Sequence, residues 1–226
     1  MLYRRAADLA CVPLLCLVCL FCRSSQAQNL PAVSFTFSSQ LDSYYSGSTA
    51  VVGYSITVNS PISVTDLEFY NLGGGGLGGS AQVGIWSNTG TLLAQTVIPA
   101  GTAAPILGGF RYEPLANPIS LLQGDTYYVG GRASSTDSTM TNIPNVTFAP
   151  EITYNDGQFG PNGSFSFPST AAGGNASSAG AFGGSFLFEP IPEPGELGLL
   201  ILAGTGLGFA CRRRRKPPKN FAPIEQ

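Results

Sequence analysis

The chain has 226 residues, 43% hydrophobic and 11% charged, and it contains no histidine. That absence excludes Ser-His-Asp and Cys-His nucleophile systems, His-ligated zinc and imidazole acid–base chemistry. Between Gln28 and Ile191 only Arg111 and Arg132 stand against nine acidic residues, a net charge of −7 that repels phosphate backbones and excludes nucleic acid as a partner.

In chain order, residues 1–27 read as a secretory signal for the Sec translocon. Arg4 and Arg5 supply the positive region, Leu9 to Cys22 the apolar region, and Ser25-Gln26-Ala27 a small-x-small cleavage site between Ala27 and Gln28. Cys11, Cys16, Cys19 and Cys22 fall in this leader and Cys211 near the other end. The exported domain therefore carries no disulfide and must be stabilised by its core.

Residues 28–168 alternate with period two. Val33, Phe35 and Phe37 alternate with Ser34 and Thr36, and Val52, Tyr54, Ile56 and Val58 with Gly53, Ser55 and Thr57. Ile62 and Val64 lie on one parity and Leu67 and Phe69 on the other, so a bulge near Thr65 or Asp66 is expected to return both pairs to one core. Further strands are predicted at Ala81–Trp86, Thr91–Ile98, Gly109–Leu115, Thr126–Gly130, Val146–Ala149, Ser164–Phe167 and Phe182–Phe188. Asn88-Thr89-Gly90 and Gln123-Gly124-Asp125 make tight turns whose glycines can take a positive φ, and Pro99, Pro114 and Pro118 mark strand ends or edges. The fold class expected is all-β, an antiparallel sandwich of jelly-roll type. Gly73–Ser80 reads as a mobile loop. Residues 169–191 read as a Gly/Ala/Ser-rich segment that ends in the last strand.

Within this core Asp66 and Glu68 share one strand face, as i and i+2 residues do, and with Asn71 could hold Ca²⁺ through oxygen ligands. Their plainer reading is a solvated face on an acidic protein. Neither a catalytic residue nor a cofactor is assigned. Arg111, between Phe110 and Tyr112, is expected to pair with a carboxylate, and Trp86 to sit in the core or on a strand face.

The last stretch is organised differently. Pro192-Glu193-Pro194 forms an extended, exposed turn, and residues 197–211 form an uncharged run. As a helix the run is about 22 Å long at roughly 1.5 Å per residue, against a hydrocarbon core of about 30 Å, so it spans a membrane only with thinning or snorkelling. Arg212, Arg213, Arg214, Arg215 and Lys216 then stop transfer and stay cytoplasmic, as does the tail 217–226. The domain is thus expected to lie between an N-terminal signal helix and a C-terminal transmembrane helix.

The order of these three parts, Pro-Glu-Pro, apolar run and basic cluster over residues 192–216, resembles the PEP-CTERM sorting signal of Gram-negative bacteria. The resemblance implies recognition by an exosortase, removal of the tail, and a bacterium that makes exopolysaccharide. Ten residues follow the basic cluster here, more than is usual in that family. In the core, S-V-T-D-L-E-F-Y (63–70), Q-V-G-I-W-S-N-T-G-T-L-L (82–93), G-F-R-Y-E-P-L (109–115) and residues 126–130 resemble a β-sandwich domain of unknown function found in secreted bacterial proteins.

Together these readings describe a non-catalytic surface or matrix protein. It passes through the inner membrane as a single-span intermediate and ends at the cell surface or in the medium, where exopolysaccharide is a candidate partner. Two alternatives stay open. A carbohydrate-binding module, with or without Ca²⁺, requires exposed coplanar aromatics; a carboxylate-based glycoside hydrolase requires two acids facing each other across a cleft.

Overall fold

Among the described residues most of the period-two pattern becomes antiparallel sheet. The computed structural model describes residues 29–35, 43–46, 50–133, 137–141, 145–174 and 181–192. Within them lie β1 (Leu30–Pro31), β2 (Val33–Phe35), β3 (Ser43–Ser46), β4 (Val52–Val58), β5 (Ile62–Tyr70), β6 (Ala81–Ser87), β7 (Leu92–Ile98) and β8 (Ile106–Leu107). They are followed by β9 (Phe110–Leu121), β10 (Thr126–Arg132), β11 (Ser138–Thr141), β12 (Val146–Phe148), β13 (Ile152–Phe159), β14 (Thr170–Ala171), β15 (Ala181–Phe182) and β16 (Gly184–Pro190). No helix occurs among the described residues.

Two large sheets, ordered β1-β16-β5-β9-β8 and β14-β13-β4-β10-β6-β7, pack on each other, and two small ones, β15-β11-β3 and β12-β2, accompany them. Leu67, Phe69 and Phe186 of the first sheet and Val83, Ile85 and Val129 of the second are fully buried members of one apolar cluster. Burial of such side chains stabilises the fold by roughly 1.5–3 kcal/mol each for the larger ones. The sheets come closest where glycine meets glycine. A Cβ on Gly184 would lie 2.8 Å from the Gly131 nitrogen and 2.9 Å from the Gly130 carbonyl carbon, so only residues without a side chain allow β16 this near β10.

The bulge in β5 lies at Thr65. Pairing with β9 runs from Val64↔Ile119 to Asp66↔Pro114, and pairing with β16 shifts between Leu187, opposite Asp66, and Phe188, opposite Val64. Ile62, Val64, Leu67 and Phe69 are all buried in consequence. Gly90 has φ 83°; its N–H donates to Ser87 O at 3.0 Å, closing the β6–β7 hairpin. Gly124 also has φ 83°, and its N–H donates to Val58 O at 2.8 Å.

Three local expectations are corrected. Ser164–Phe167 is not a strand: Phe165 packs on Trp86, with ring centroids 5.2 Å apart, and Phe167 on Tyr128 at 4.8 Å, so the segment straps the second sheet instead of pairing in it. Its rings use the flat ground that Gly84 and Gly90 leave bare; a Cβ there would meet Phe165 at 2.9 Å and Phe167 at 3.0 Å. Ile152–Phe159, assigned no strand from sequence, is β13 and pairs with the whole of β4; it absorbs Asn155-Asp156-Gly157 through a register shift between Tyr154 and Asp156. Gly73–Ser80 is held in place by Asn71, Arg111 and Asp137, as described below.

The described chain begins and ends at neighbouring points. Leu30 pairs with Phe188, and the Ile191 N–H donates to Pro61 O at 2.9 Å. Pro192 is exposed. Residues 1–28, with the expected cleavage site at Ala27 and Gln28, and residues 193–226, with Glu193, Pro194, the apolar run and Arg212–Lys216, lie outside the described residues. Among the described residues no helix is long and apolar enough to cross a membrane.

Candidate functional site

Ser55 and Gln158 of the second sheet satisfy each other, Gln158 Nε2 donating to Ser55 Oγ at 3.2 Å. The other buried polar groups fall into two clusters, one on β5 and one just beyond its end. Strand alternation puts Asp66, Glu68 and Tyr70 on the face opposite Leu67 and Phe69. That face was expected to be solvated, and it is not. Asp66 is 5% exposed and Glu68 is 0% exposed. Tyr70 packs against Phe35 and Phe110 at centroid distances of 5.1 and 5.2 Å, and Phe35 meets Phe182 at 6.1 Å. Tyr54, from the other sheet, meets Phe182 at 5.4 Å and Phe148 at 5.9 Å. A chain of ring contacts thus links Tyr70, on the same strand face as Glu68, to Tyr54 of the other sheet.

Glu68 sits opposite Ser185 of β16 and Tyr112 of β9. The Tyr54 hydroxyl donates to Ser185 Oγ at 3.2 Å. Ser185 lies near enough to Glu68 to favour its ionised form, yet neither Glu68 oxygen has a partner in hydrogen-bonding geometry. Burial dominates the balance: it raises the Glu68 pKa from 4.5 to about 8, Ser185 opposes the rise, and the Asp66 charge adds to it. Glu68 is therefore a neutral acid at pH 7. Burial likewise pushes the Tyr54 hydroxyl up, and Tyr154 up to about 12 with a contribution from Asp156. Asp66 accepts from Asn29 Nδ2 at 2.9 Å, which ties the start of the described chain to β5.

Asn71, the third oxygen donor proposed for Ca²⁺, belongs to the second cluster. Its Oδ1 accepts from Arg111 Nε at 2.6 Å and from the Gly76 N–H at 3.0 Å, and its Nδ2 donates to Gly76 O at 3.2 Å. The amide is fully engaged and does not join Asp66 and Glu68 in a ligand set. Among the described residues no three His, Cys, Asp or Glu side chains converge on a point that could hold a metal.

Arg111 does not pair with a carboxylate. Besides Asn71, it donates through Nη1 to Ala104 O at 2.6 Å and Thr102 O at 3.4 Å, and through Nη2 to Gly74 O at 3.0 Å. The planar guanidinium satisfies carbonyls on two separate loops at once, which a single ammonium cannot do. Asp137 closes the other end of the glycine loop, accepting from the Gly78 N–H at 2.7 Å and the Gly79 N–H at 3.1 Å. Leu77 is buried and bridged to Gly101. These contacts, drawn from residues far apart in sequence, order a stretch whose composition suggests mobility.

The two alternative chemistries can be set against this geometry. Glu68 has no exposed surface and Asp66 very little, so the two acids do not face each other across an open cleft. Trp86 is buried under Phe165, Tyr128 is packed against Phe167, and Tyr70 and Tyr127 are buried; these rings meet at angles and do not form a coplanar exposed platform.

The family profile for the domain of unknown function DUF4082 matches residues 38–178, more than half of the chain. The chain belongs to the DUF4082 family. No curated protein matches the chain. The DUF4082 segment contains Tyr54, Asp66, Glu68, Asn71 and Arg111 but stops short of β16, although β16 is inserted between β1 and β5 and supplies Ser185. Sequence reasoning missed Ser185 and Asn29. The signal available for Ser185 was a lone hydroxyl inside the apolar run Phe182–Phe188; for Asn29 there was none.

Proposed function

We propose that this DUF4082 protein is a non-catalytic, exported surface or matrix component, sorted through Pro192-Glu193-Pro194 by an exosortase in a bacterium that makes exopolysaccharide. The observation that carries the reading is the order of its ends: a leader with a small-x-small site before Gln28, and Pro-Glu-Pro, apolar run and basic cluster after Ile191. The fold is compatible with that route. β1 pairs with β16 and the Ile191 N–H is fixed to Pro61 O, so leader and tail leave from neighbouring points, and a domain held by both during export need not be distorted. Exposed Pro192 begins the motif directly after the last anchored residue, at a place open to an enzyme. The sandwich in this role is a compact acidic unit whose interior is filled by its own side chains, with exopolysaccharide as its proposed surroundings.

The test is intact mass of the protein recovered separately from native cells, membrane and medium. A species that begins at Gln28 and ends near Pro194 outside the cell is expected. Glu193→Ala is expected to leave the tail attached. A wild-type chain still ending at Gln226 in the membrane fraction would reduce the reading to a plain single-span anchor.

A further inference from the structure

Sheet edges carry free amide and carbonyl groups, and exported proteins that remain monomeric blunt them with short strands, proline or charge. Among the described residues three of the four edges of the two large sheets are blunted. β1 and β14 are two residues long, and β1 contains Pro31. β8 is also two residues long and pairs only with Phe110 and Arg111; beyond it the edge is β9 itself, where Pro114 and Pro118 are exposed and withhold donors.

β7 is different. It has seven residues, Leu92-Leu93-Ala94-Gln95-Thr96-Val97-Ile98, with neither proline nor charge, and among the described residues it pairs only with β6. Leu92, Leu93 and Val97 are 40%, 39% and 53% exposed. The register shift at Leu93 lies at the hairpin end, which leaves Ala94 to Ile98 as regular strand. No charged residue occurs anywhere from Phe69 to Phe110.

We propose that β7 is a self-association edge, through which two copies of this chain pair antiparallel about a two-fold axis and join their six-stranded sheets into one. The charge distribution selects this occupant. Copies with a formal charge of −7 between Gln28 and Ile191, or −6 with Glu68 protonated, repel each other over most approaches, and β7 is a strand on which no like charges oppose each other in any register. A cationic or anionic partner finds no charge on the strand to choose it by. A two-fold contact is also self-complementary, so one strand serves both sides. The inference is independent of the tail and of its processing.

The experiment is sedimentation velocity of the exported protein over a wide concentration series, for wild type, Val97→Lys and Val97→Glu. Wild type is expected to show a concentration-dependent monomer–dimer equilibrium. Val97→Lys places like charges on both strands and is expected to weaken association by about tenfold or more without moving the thermal midpoint, since the side chain is half exposed. Mixing the Lys and Glu variants is expected to restore association, less so as salt is raised. A wild type that stays monomeric at the highest concentration overturns the proposal, and so does a Val97→Lys variant that associates as wild type does.

Discussion

Glu68 on β5 and Ser185 on β16 face each other across an antiparallel pair: one is a carboxyl with no exposed surface, the other the acceptor of the Tyr54 hydroxyl. An ionised carboxylate would be poorly matched to this place, because it is fully buried beside the Asp66 charge and neither oxygen finds a hydrogen-bond partner. The fold accommodates Glu68 by keeping it protonated.

Stability is expected to fall with rising pH through this group. The folded-state pKa of about 8 lies above the ordinary 4.5, so between those values the folded chain holds a proton that the unfolded chain has released. The contribution is fully present below about 4.5, declines across the window and is lost above about 8. At about 1.4 kcal/mol per pH unit the whole span amounts to roughly 4–5 kcal/mol. Glu68→Gln removes the titration and is expected to flatten the pH profile of the urea midpoint, whatever its effect at pH 5. Parallel profiles for the two proteins would show that Glu68 is not held neutral.

Arg111→Lys is expected to destabilise the domain by about 2–3 kcal/mol, since one ammonium cannot reach Asn71 Oδ1 and the carbonyls of Gly74 and Ala104 together. The loss should be local first. Amide exchange is expected to accelerate at Gly76, whose N–H is bound by Asn71 Oδ1, more than at core strands such as β10. Equal protection of Gly76 in both proteins would remove Arg111 from its role as the loop's clamp.

The glycine contact between the sheets is testable by addition of a single methyl group. Gly184→Ala sets a Cβ against the Gly131 backbone at 2.8 Å and is expected to cost about 1–3 kcal/mol, because backbone cannot move aside as a side-chain tip can. Gly75→Ala, with nothing within 4 Å of the added carbon, serves as the control and is expected to change stability by less than about 0.5 kcal/mol. Similar midpoints for the two variants would mean that the sheets do not approach as closely as described.

Much of the fold was legible in the sequence because the rules that make it are local. Alternation marks a strand whatever lies beside it, a glycine that must take a positive φ marks the turns at Gly90 and Gly124, and the change of parity between Val64 and Leu67 required the bulge that appears at Thr65. The proposed leader and sorting tail likewise rest on composition and order along the chain. The tertiary structure alone decided which face is inside. Alternation places Asp66 and Glu68 together but does not say what covers them, and the covering groups come from Tyr54 and Ser185, themselves 131 residues apart. For the same reason Arg111 was matched to a carboxylate when its partners are an amide and carbonyls on two loops, and Phe165 and Phe167 were read as strand when they cap glycines on the second sheet. Burial and partnership depend on which segments meet in space, and one chain's local pattern fits several such meetings.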